Sequence, residues 1–373
     1  MSTATGHHQV AFLDLQALHR EMHEELTAAA AAVIGSDRVL LGPRLTAFEA
    51  SWAAQVGARE AVGVGSGLDA LVLALRALGV GPGAEVVVPS HTFVATWLAV
   101  LHLGAVPVAV DVESATGTWD PAAVAAAVGP RTRALLPVHM YGHPVDLAPL
   151  LDIADRHGLV LVDDAAQAHG ARTRGVPVGA DGHATAWSFY PGKNLGALGD
   201  GGAVTTSDTD VAARVRSLRN YGSRVKYVHD EVGYNSRLDE LQAALLEVKL
   251  RHLAVHQARR VAVAAAYADG LADCDLELPV VPVGTEPAWH LYVVRTPHRD
   301  ALQQHLAARG VQTLVHYPVP CHRQPAFAGT PLARQHLPVA DALAAQVLSL
   351  PMGPHLSATD RDTVIDAVRS FRP

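Results

Sequence analysis

Short apolar runs alternate with helix-like repeats from residue 61 to about residue 207. Seven of the runs have the length expected of buried strands: Ala61–Val64, Glu85–Pro89, Val106–Val112, Ala134–His139, Leu159–Asp163, Ala184–Phe189 and Ala203–Thr206. After the first run, leucines recur at helical spacing from Leu68 to Leu78, and the repeat ends at Gly79. This alternation predicts an α/β domain with a largely parallel sheet.

Helical patterns flank this block on both sides. Leu26–Val33 is rich in alanine and precedes the block, whereas Leu238–Leu250 and Arg259–Ala272 follow it. Beyond them the pattern predicts a strand, a helix, a strand and a helix at Leu291–Arg295, Arg299–Ala308, Val311–His316 and Val339–Leu348. We therefore predict two domains: a large domain of residues 1–253, which includes the N-terminal helix, and a smaller α+β domain of residues 254–373.

The composition narrows the class of protein. Of the 373 residues, 49% are hydrophobic and 17% are charged, so the chain can bury a substantial core. The formal net charge is −7 and the basic residues are scattered, which argues against nucleic acid as a partner. No uninterrupted apolar stretch reaches membrane-spanning length and no secretory signal is recognisable, so we expect no membrane partner.

Cysteine and histidine do not indicate a metal site. Cys274 and Cys321 lie far apart and form no CxxC pair, which favours a reducing, cytoplasmic setting over a zinc site or a disulfide framework. The 21 histidines are scattered, and no HExxH pattern occurs. We therefore expect no bound metal.

Lysine is rare in this chain. Of 29 basic residues only Lys193, Lys226 and Lys249 are lysines. Arginine cannot lose its proton to form a Schiff base, so a retained lysine can mark such chemistry. Lys249 lies among charged residues on a helical pattern and is interpreted as a surface residue. Lys193 follows the run Ala184–Phe189 directly, in a Pro-Gly turn, and α/β proteins bind ligands at the ends of strands.

Another apolar run ends in two carboxylates, Asp163 and Asp164, and Gln167 follows. The run resembles a Walker B strand, but the GxxxxGK[ST] loop of an ATPase is absent from the sequence. A carboxylate at the end of a strand can instead pair with the ring nitrogen of a cofactor and keep it protonated, which makes the ring an electron sink. Gln167 could then reach a neighbouring ring oxygen.

Gly63, Gly65 and Gly67 lie in a turn between the first strand and the first helix of the block. The N–H groups and the dipole of a helix that begins there favour a phosphate. The turn departs from the G-x-G-x-x-G dinucleotide pattern, because Leu68 stands where the third glycine belongs. The acidic residue of that pattern would have to be Glu85, which begins a strand instead of ending one. A nicotinamide oxidoreductase is nevertheless an alternative.

These motifs occur with others in an order that resembles the pyridoxal-phosphate sugar aminotransferases of the DegT/StrS type. The segments that carry the resemblance are 65–71, 89–97, 163–170, 188–202, 219–223, 233–242, 290–295 and 348–352. The resemblance covers nearly the whole chain. It implies an aspartate-aminotransferase-like (fold type I) α/β protein with a mostly parallel mixed sheet, which binds pyridoxal 5'-phosphate and forms a homodimer with shared active sites.

The resemblance assigns the chemistry to two residues: Lys193 would bind the cofactor as a Schiff base, and Asp164 would pair with the pyridine nitrogen. It implies further cofactor contacts, namely Gln167 with the 3'-oxygen, Phe93 stacked on the ring, and phosphate contacts from Gly67, Leu68, Ser188 and, across the dimer interface, Asn235. The implied substrate-binding residues are Tyr190, Tyr221, Lys226, Arg237, His316 and Tyr317.

The implied reaction is a ping-pong transfer of an amino group from an amino acid, which we expect to be L-glutamate, to a keto group of a nucleotide-linked deoxysugar. Pyridoxamine 5'-phosphate carries the nitrogen between the two halves. The lysine segment is most similar to enzymes that act at sugar C3, as in desosamine or mycaminose biosynthesis, so the expected acceptor is a dTDP-3-keto-6-deoxyhexose.

Several alternatives to this reading stay open. They are the same chemistry at C4, a keto-cyclitol acceptor, and a non-catalytic cofactor-binding regulator of the same fold. A dehydratase is disfavoured, because such relatives carry histidine at the position of Lys193.

Overall fold

The structure, a computed structural model, describes residues 9–373. Its strands are β1 (Glu60–Val64), β2 (Glu85–Pro89), β3 (Val106–Val110), β4 (Thr132–Leu135), β5 (Val160–Asp164), β6 (Arg172–Thr173), β7 (Val176–Pro177), β8 (Ala184–Ser188), β9 (Gly202–Thr206), β10 (Thr285–Glu286), β11 (Tyr292–Arg295) and β12 (Val347–Leu350). Its α-helices are α1 (Leu15–Glu21), α2 (His23–Ile34), α3 (Pro43–Val56), α4 (Gly67–Ala77), α5 (Val94–His102), α6 (Pro121–Ala127), α7 (Ala148–His157), α8 (Thr209–Leu218), α9 (Glu240–Leu271), α10 (Arg299–Ala308), α11 (Pro338–Gln346) and α12 (Ala358–Arg369).

Seven strands form the central sheet, in the order β1-β9-β8-β5-β4-β2-β3. The pairs β2–β3, β2–β4, β4–β5 and β5–β8 are parallel, whereas β9 runs antiparallel to both β1 and β8. Each of the seven predicted apolar runs contributes one of these strands, so the mostly parallel mixed sheet is confirmed. The run predicted at Ala134–His139 is shorter than expected, because β4 ends at Leu135 and only Val138 pairs beyond it.

Helices cover both faces of the sheet. On one face α4 packs on β8 and β9 and is buried along most of its length. Its N-cap is Ser66, whose Oγ accepts a hydrogen bond from the N–H of Asp69 at 3.1 Å, and this fixes the first turn of the helix beside the end of β1. On the other face Trp52 packs edge-on against Trp187, with ring centroids 4.9 Å apart.

Helix α9 is continuous over 32 residues. The sequence pattern predicted separate helices at Leu238–Leu250 and Arg259–Ala272, and this prediction is wrong, since the residues between them are also helical. No glycine or proline occurs between residues 240 and 269, so nothing in the local sequence ends the helix there. The predicted domain boundary after residue 253 falls within α9, and the division into two domains stays a prediction.

The C-terminal region adds a smaller layer, in which α10 has its predicted bounds and β11 pairs antiparallel with β12. Two other predictions here are wrong. Val311–His316 is not a strand, because it pairs only at single points with two different partners, the segment at Val10 and β12. The helix predicted at Val339–Leu348 ends at Gln346, where pairing with β11 overrides the helical pattern.

Candidate active site

The carboxyl ends of β1, β5 and β8 open onto one cleft with a volume of about 1220 Å³. Because these three strands run in the same direction, their carboxyl ends meet at one edge of the sheet. Ten of the predicted site residues line this cleft: Gly67, Leu68, Phe93, Asp164, Gln167, Ser188, Tyr190, Lys193, His316 and Tyr317. The fold therefore brings most of the predicted site together from distant parts of the sequence.

The two adjacent carboxylates of β5 have different surroundings, because successive side chains of a strand point to opposite faces. Asp163 is completely buried, and its Oδ1 accepts a hydrogen bond from Thr185 Oγ1 at 2.9 Å. Its Oδ2 lies 3.1 Å from Nε2 of His139. Nδ1 of His139 accepts a hydrogen bond from the N–H of Val145, so the proton is on Nε2, which donates a hydrogen bond to Asp163. Both carboxylate oxygens of Asp163 therefore have hydrogen-bond partners inside the protein.

Asp164 lines the cleft instead. Its Oδ2 accepts a hydrogen bond from Thr96 Oγ1 at 2.9 Å, and its Oδ1 accepts the N–H of Ala166 at 3.1 Å. Burial raises the pKa of Asp164, whereas both hydrogen bonds and the nearby Lys193 amine oppose the rise. The protonated ring nitrogen of a bound cofactor would be a positive partner for Asp164, and such a partner favours the charged form of a carboxyl group.

The turn that follows β8 directs Lys193 into the same cleft. The N–H of Lys193 donates to the carbonyl of Tyr190 at 2.8 Å and closes the turn. Burial lowers the pKa of Lys193 to about 8, although the charge of Asp164 opposes the shift. An amine with a lowered pKa gives up its proton more readily, as a nucleophile or base must.

The beginning of α4 and the end of β8 form a cradle that fits a phosphate. The N–H groups of Gly67 and Leu68 belong to the first turn of α4, where no helical carbonyl is available to them. A Cβ at Gly67 would lie 2.6 Å from the Cβ of Ser188, so only glycine permits this close approach. Free N–H groups, a helix dipole and the Ser188 hydroxyl together make a suitable donor set for a phosphate.

Phe93, Gln167 and Tyr317 line the cleft beside Asp164. Phe93 is 51% exposed, so it is not a core residue, and its ring centroid lies 5.3 Å from that of Tyr317. Oε1 of Gln167 accepts the N–H of Tyr141 at 2.6 Å, and its Nε2 donates to the Tyr317 hydroxyl at 3.3 Å. These two bonds fix the amide so that its donor lies on the side of Tyr317.

Four predicted site residues do not line this cleft: Tyr221, Lys226, Asn235 and Arg237. Lys226 and Asn235 are exposed, and the Arg237 guanidinium lies over the Tyr221 ring, 5.4 Å from its centroid. The Lys226 amine lies 5.0 Å from the ring centroid of Tyr227. Within one chain these four side chains are not brought to Lys193.

The cleft also contains polar residues that sequence reasoning missed. Arg260 of α9 and His290 both line it, and the Nδ1 of His290 lies 3.2 Å from the side-chain oxygen of Asn194. A signal for Arg260 was present in the sequence. Val263, Ala264 and Tyr267 follow it at helical spacing, and this apolar stripe places Arg260 on the buried face of α9.

Lys249 is buried, so the prediction from the sequence that it is a surface residue is wrong. It is 8% exposed, because α1 and α2 cover this part of α9. Its Nζ donates to the carbonyl of Gly196 at 2.7 Å and lies 3.1 Å from Nε2 of His19. Burial lowers the pKa of Lys249 to about 8.

Within residues 9–373, no group of three or more His, Cys, Asp or Glu side chains is placed to hold a metal ion. In that same part of the chain, no helix combines the length and the apolar character that crossing a membrane requires. Cys274 and Cys321 are free thiols.

The sheet, the lysine turn and the carboxylate at the end of β5 define the class of protein as fold type I aminotransferases. The sequence matches the DegT/DnrJ/EryC1/StrS aminotransferase family over residues 20–369, and the chain belongs to this family. Family membership removes the oxidoreductase alternative. It confirms the resemblance on which the site prediction rested.

Two curated relatives and one solved structure are particularly similar. The dTDP-3-amino-3,4,6-trideoxy-alpha-D-glucose transaminase of Streptomyces venezuelae is 56% identical over 100% of this chain and 98% of its own. The erythromycin biosynthesis sensory transduction protein EryC1 of Saccharopolyspora erythraea is 56% identical over 97% of this chain and 99% of its own. The structure of S. venezuelae DesV in complex with a ketimine intermediate has a TM-score of 0.95 and 57% identity, covering 97% of this chain and 98% of that one. The fold type I prediction is thereby confirmed.

Proposed function

We propose that the protein is a pyridoxal 5'-phosphate-dependent aminotransferase that moves an amino group from L-glutamate to C3 of a dTDP-linked 3-keto-6-deoxysugar. The observation that carries the proposal is the convergence of the Lys193 amine and the Asp164 carboxylate on one cleft beside a phosphate cradle. The 56% identity to a dTDP-3-amino-sugar transaminase supports both the nucleotide and the ring position. Amination at C4 or of a keto-cyclitol is the alternative within the same chemistry.

The residues of the cleft fit pyridoxal 5'-phosphate. Each part of the cofactor would have its own partners: Gly67, Leu68 and Ser188 for the phosphate, Asp164 for the ring nitrogen, Gln167 for the 3'-oxygen and Phe93 for the ring face. When bound, the cofactor supplies an electron sink that stabilises negative charge at the carbon that loses a proton.

Asp164 would hold a proton on the ring nitrogen. The hydrogen bonds from Thr96 and Ala166 fix the orientation of its carboxylate before the cofactor binds. Because Asp164 is only 6% exposed, its attraction to the protonated nitrogen is screened little by water. The charge of Asp164 would thus favour the protonated, more electron-withdrawing form of the ring.

Lys193 would have two roles. It would attach the cofactor, and once the donor has released it, its amine would move a proton between the donor Cα and C4' of the cofactor. A pKa lowered to about 8 suits a base that works near neutral pH. Donor and acceptor would use the same cleft in turn, with the nitrogen kept between them as pyridoxamine 5'-phosphate.

A homodimer with shared sites would give a role to the four residues that lie outside the cleft. We define their surroundings, residues 221–237, as the outer segment. It exposes several large apolar side chains, with Tyr227 83%, Val232 78% and Val225 65% exposed. Apolar patches of this kind mark interaction surfaces. In a two-fold dimer, Asn235 of one chain would reach the phosphate in the cleft of the other, and Tyr221, Lys226 and Arg237 would approach its substrate.

Mixing inactive subunits tests this arrangement. Lys193→Ala subunits combined with Asn235→Asp subunits should regain activity, because each mixed dimer would contain one intact site. If Asn235 served its own chain, both sites of the mixed dimer would be damaged. Lack of recovery in heterodimers verified by mass spectrometry would contradict the shared site.

The activity is tested directly with the holoenzyme, L-glutamate and a dTDP-3-keto-6-deoxyhexose. The expected product carries the new amino group at C3, as NMR of the purified sugar nucleotide would show, and the Lys193→Ala variant should form none. No product from this substrate, together with formation of a C4-amino sugar from a dTDP-4-keto-6-deoxyhexose, would favour the alternative acceptor.

A regulator without turnover is the second candidate, because EryC1 is named a sensory transduction protein. Cofactor binding without product from any ketosugar would support it.

The proposed partners are small molecules, a nucleotide sugar and an amino-acid donor. We propose neither nucleic acid nor a membrane as a partner. The net charge is −7, and the sequence has no cluster of basic residues that would attract a negatively charged surface. A cytoplasmic location agrees with two free thiols.

A further inference from the structure

Arg260 is a buried cation in the wall of the cleft. It projects from α9, is 3% exposed, and lines the same cleft as Lys193. No carboxylate of residues 9–373 lies within ion-pair distance of it, in contrast to its neighbour Arg259, whose Nη1 lies 2.8 Å from Oε1 of Glu21. An isolated buried charge is costly unless an anion compensates it.

The contacts of Arg260 leave part of its guanidinium group available. Its Nη1 donates to the carbonyls of Trp289 and His290 at 3.0 and 3.3 Å. These two bonds fix the plane of the group, and the structure shows no hydrogen bond from Nε or Nη2 to the described residues. Two parallel N–H groups on one planar fork match the two oxygens of a carboxylate.

No other cation of the cleft can take this role, since burial lowers the pKa of His316, which also lines it, to about 4 and leaves that histidine neutral. Among the described residues that line it, only Lys193 and Arg260 are lysine or arginine. The side-chain nitrogen of Asn194 donates to the carbonyl of Ala288, so its side-chain oxygen faces His290 and accepts a hydrogen bond from Nδ1–H of that histidine. Burial, followed by the charges of Lys193 and Arg260, lowers the pKa of His290 well below its usual value, so this histidine is neutral.

We infer that Arg260 binds a carboxylate of the amino-acid donor. This inference rests on the proposed function. The donor α-carboxylate is bonded to the same Cα from which Lys193 would take a proton, so an anion of the donor must lie near Lys193. The diphosphate of a nucleotide sugar lies farther from the reacting carbon. The exposed Lys226 and the partly exposed Arg237 of a partner chain would suit it better. Burial lowers the pKa of Arg260 to about 9.

Binding of an unreactive dicarboxylate tests the inference without turnover. Maleate is titrated calorimetrically into the holoenzyme of the wild type and of Arg260→Gln, Arg260→Lys and Arg259→Gln. Arg260→Gln should weaken maleate binding about 10- to 100-fold, the range expected for hydrogen bonds to a charged group. Arg260→Lys keeps the positive charge but not the two parallel N–H groups, so it should lose less affinity for maleate than Arg260→Gln. Arg259→Gln, on the adjacent exposed position, should bind maleate as the wild type does.

A parallel titration with dTDP distinguishes the two sources of negative charge. Its affinity should be the same in all four proteins. Loss of dTDP affinity with normal maleate binding would assign Arg260 to the nucleotide and overturn the inference. Equal losses for both ligands, a loss of cofactor affinity alone, or no change in Arg260→Gln would overturn it as well, since each indicates a role in the fold or in cofactor binding.

Stability and function are separated by two further measurements. If thermal unfolding shows that Arg260→Gln does not fold, the test uses Arg260→Lys instead. A maleate affinity of Arg260→Lys equal to that of the wild type would then contradict the inference. If the protein transfers no amino group but binds maleate in an Arg260-dependent manner, the proposed function fails while the carboxylate site stands.

Discussion

Lys193 and Lys249 are both withdrawn from water, and burial lowers the pKa of each to about 8. Lys193 extends into a cleft, where Asp164 provides the opposing charge. Lys249 instead donates to the carbonyl of Gly196, which lies in the same loop as Lys193. One amine is therefore free to react, whereas the other supports the loop that carries it. The comparison shows that a perturbed pKa does not identify a catalytic lysine unless the amine also faces open space.

The adjacent carboxylates of β5 show the same contrast. Asp163 is enclosed by Thr185 and His139, whereas Asp164 faces the cleft. In both pairs the residue in the cleft has the proposed chemical role, whereas its counterpart is held by contacts inside the protein. Substitutions at matched positions can therefore separate function from stability.

The largest effect is expected from Lys193→Ala. Without the amine, the proton at the donor Cα has no base, and the transamination rate should fall by about 10⁴-fold or more, the upper range for general acid–base catalysis. The visible absorption of covalently bound cofactor should also disappear. Lys249→Ala is the control and should keep that absorption, since its amine lies outside the cleft. An absorption band that survives dialysis in Lys193→Ala would refute the assignment.

Asp164→Asn should have the next largest effect. The amide has nearly the same shape but cannot hold a proton on the ring nitrogen by its charge, so the rate of the half-reaction with glutamate should fall about 10²- to 10³-fold. Cofactor binding should persist. Stopped-flow absorbance with L-glutamate measures this rate. A near-normal rate would mean that the ring nitrogen needs no carboxylate.

Asp163→Asn should alter stability instead of the half-reaction. An amide can still accept from Thr185, but its nitrogen faces the proton of His139, so one buried donor loses its acceptor. We expect a loss of about 1–3 kcal/mol in the free energy of unfolding. Denaturant titration measures it. If stability is normal and the rate is lost, the roles of the two aspartates would be reversed.

The smallest effect concerns the pH dependence of stability. Burial lowers the pKa of Lys249 from its ordinary value of 10.5 to about 8. Between pH 8 and 10.5 the folded protein has therefore lost the proton of Lys249, whereas the unfolded chain still binds it. In this window the unfolded state binds more protons, so the free energy of unfolding rises with pH, by about 1.4 kcal/mol per pH unit for such a group. Lys249→Met removes this contribution, and its stability should rise less steeply than that of the wild type. Denaturant titrations of both holoenzymes at pH 8, 9 and 10 give the slopes, and equal slopes would contradict burial of the Lys249 amine.

Sequence patterns predicted the strands of the sheet well, because buried strands need continuous apolar runs and tight turns at their ends. They failed where distant segments determine the structure. The sequence pattern assigns Val347 and Leu348 to the end of a helix, yet both belong to β12, which pairs with β11. Lys249 has charged neighbours along the chain, yet α1 and α2 bury it.

The sequence by itself determined the strand-and-turn pattern, the family resemblance and the identity of the chemical groups at Lys193, Asp164 and Gly67. These features are local, since each depends on residue types at fixed spacing. Only the tertiary structure decided that Thr185 and His139 enclose Asp163, that Lys249 is buried, and that Arg260 lines the cleft without a carboxylate partner among the described residues. Those outcomes depend on which elements pack together, and packing between segments distant along the chain leaves little trace in the local sequence.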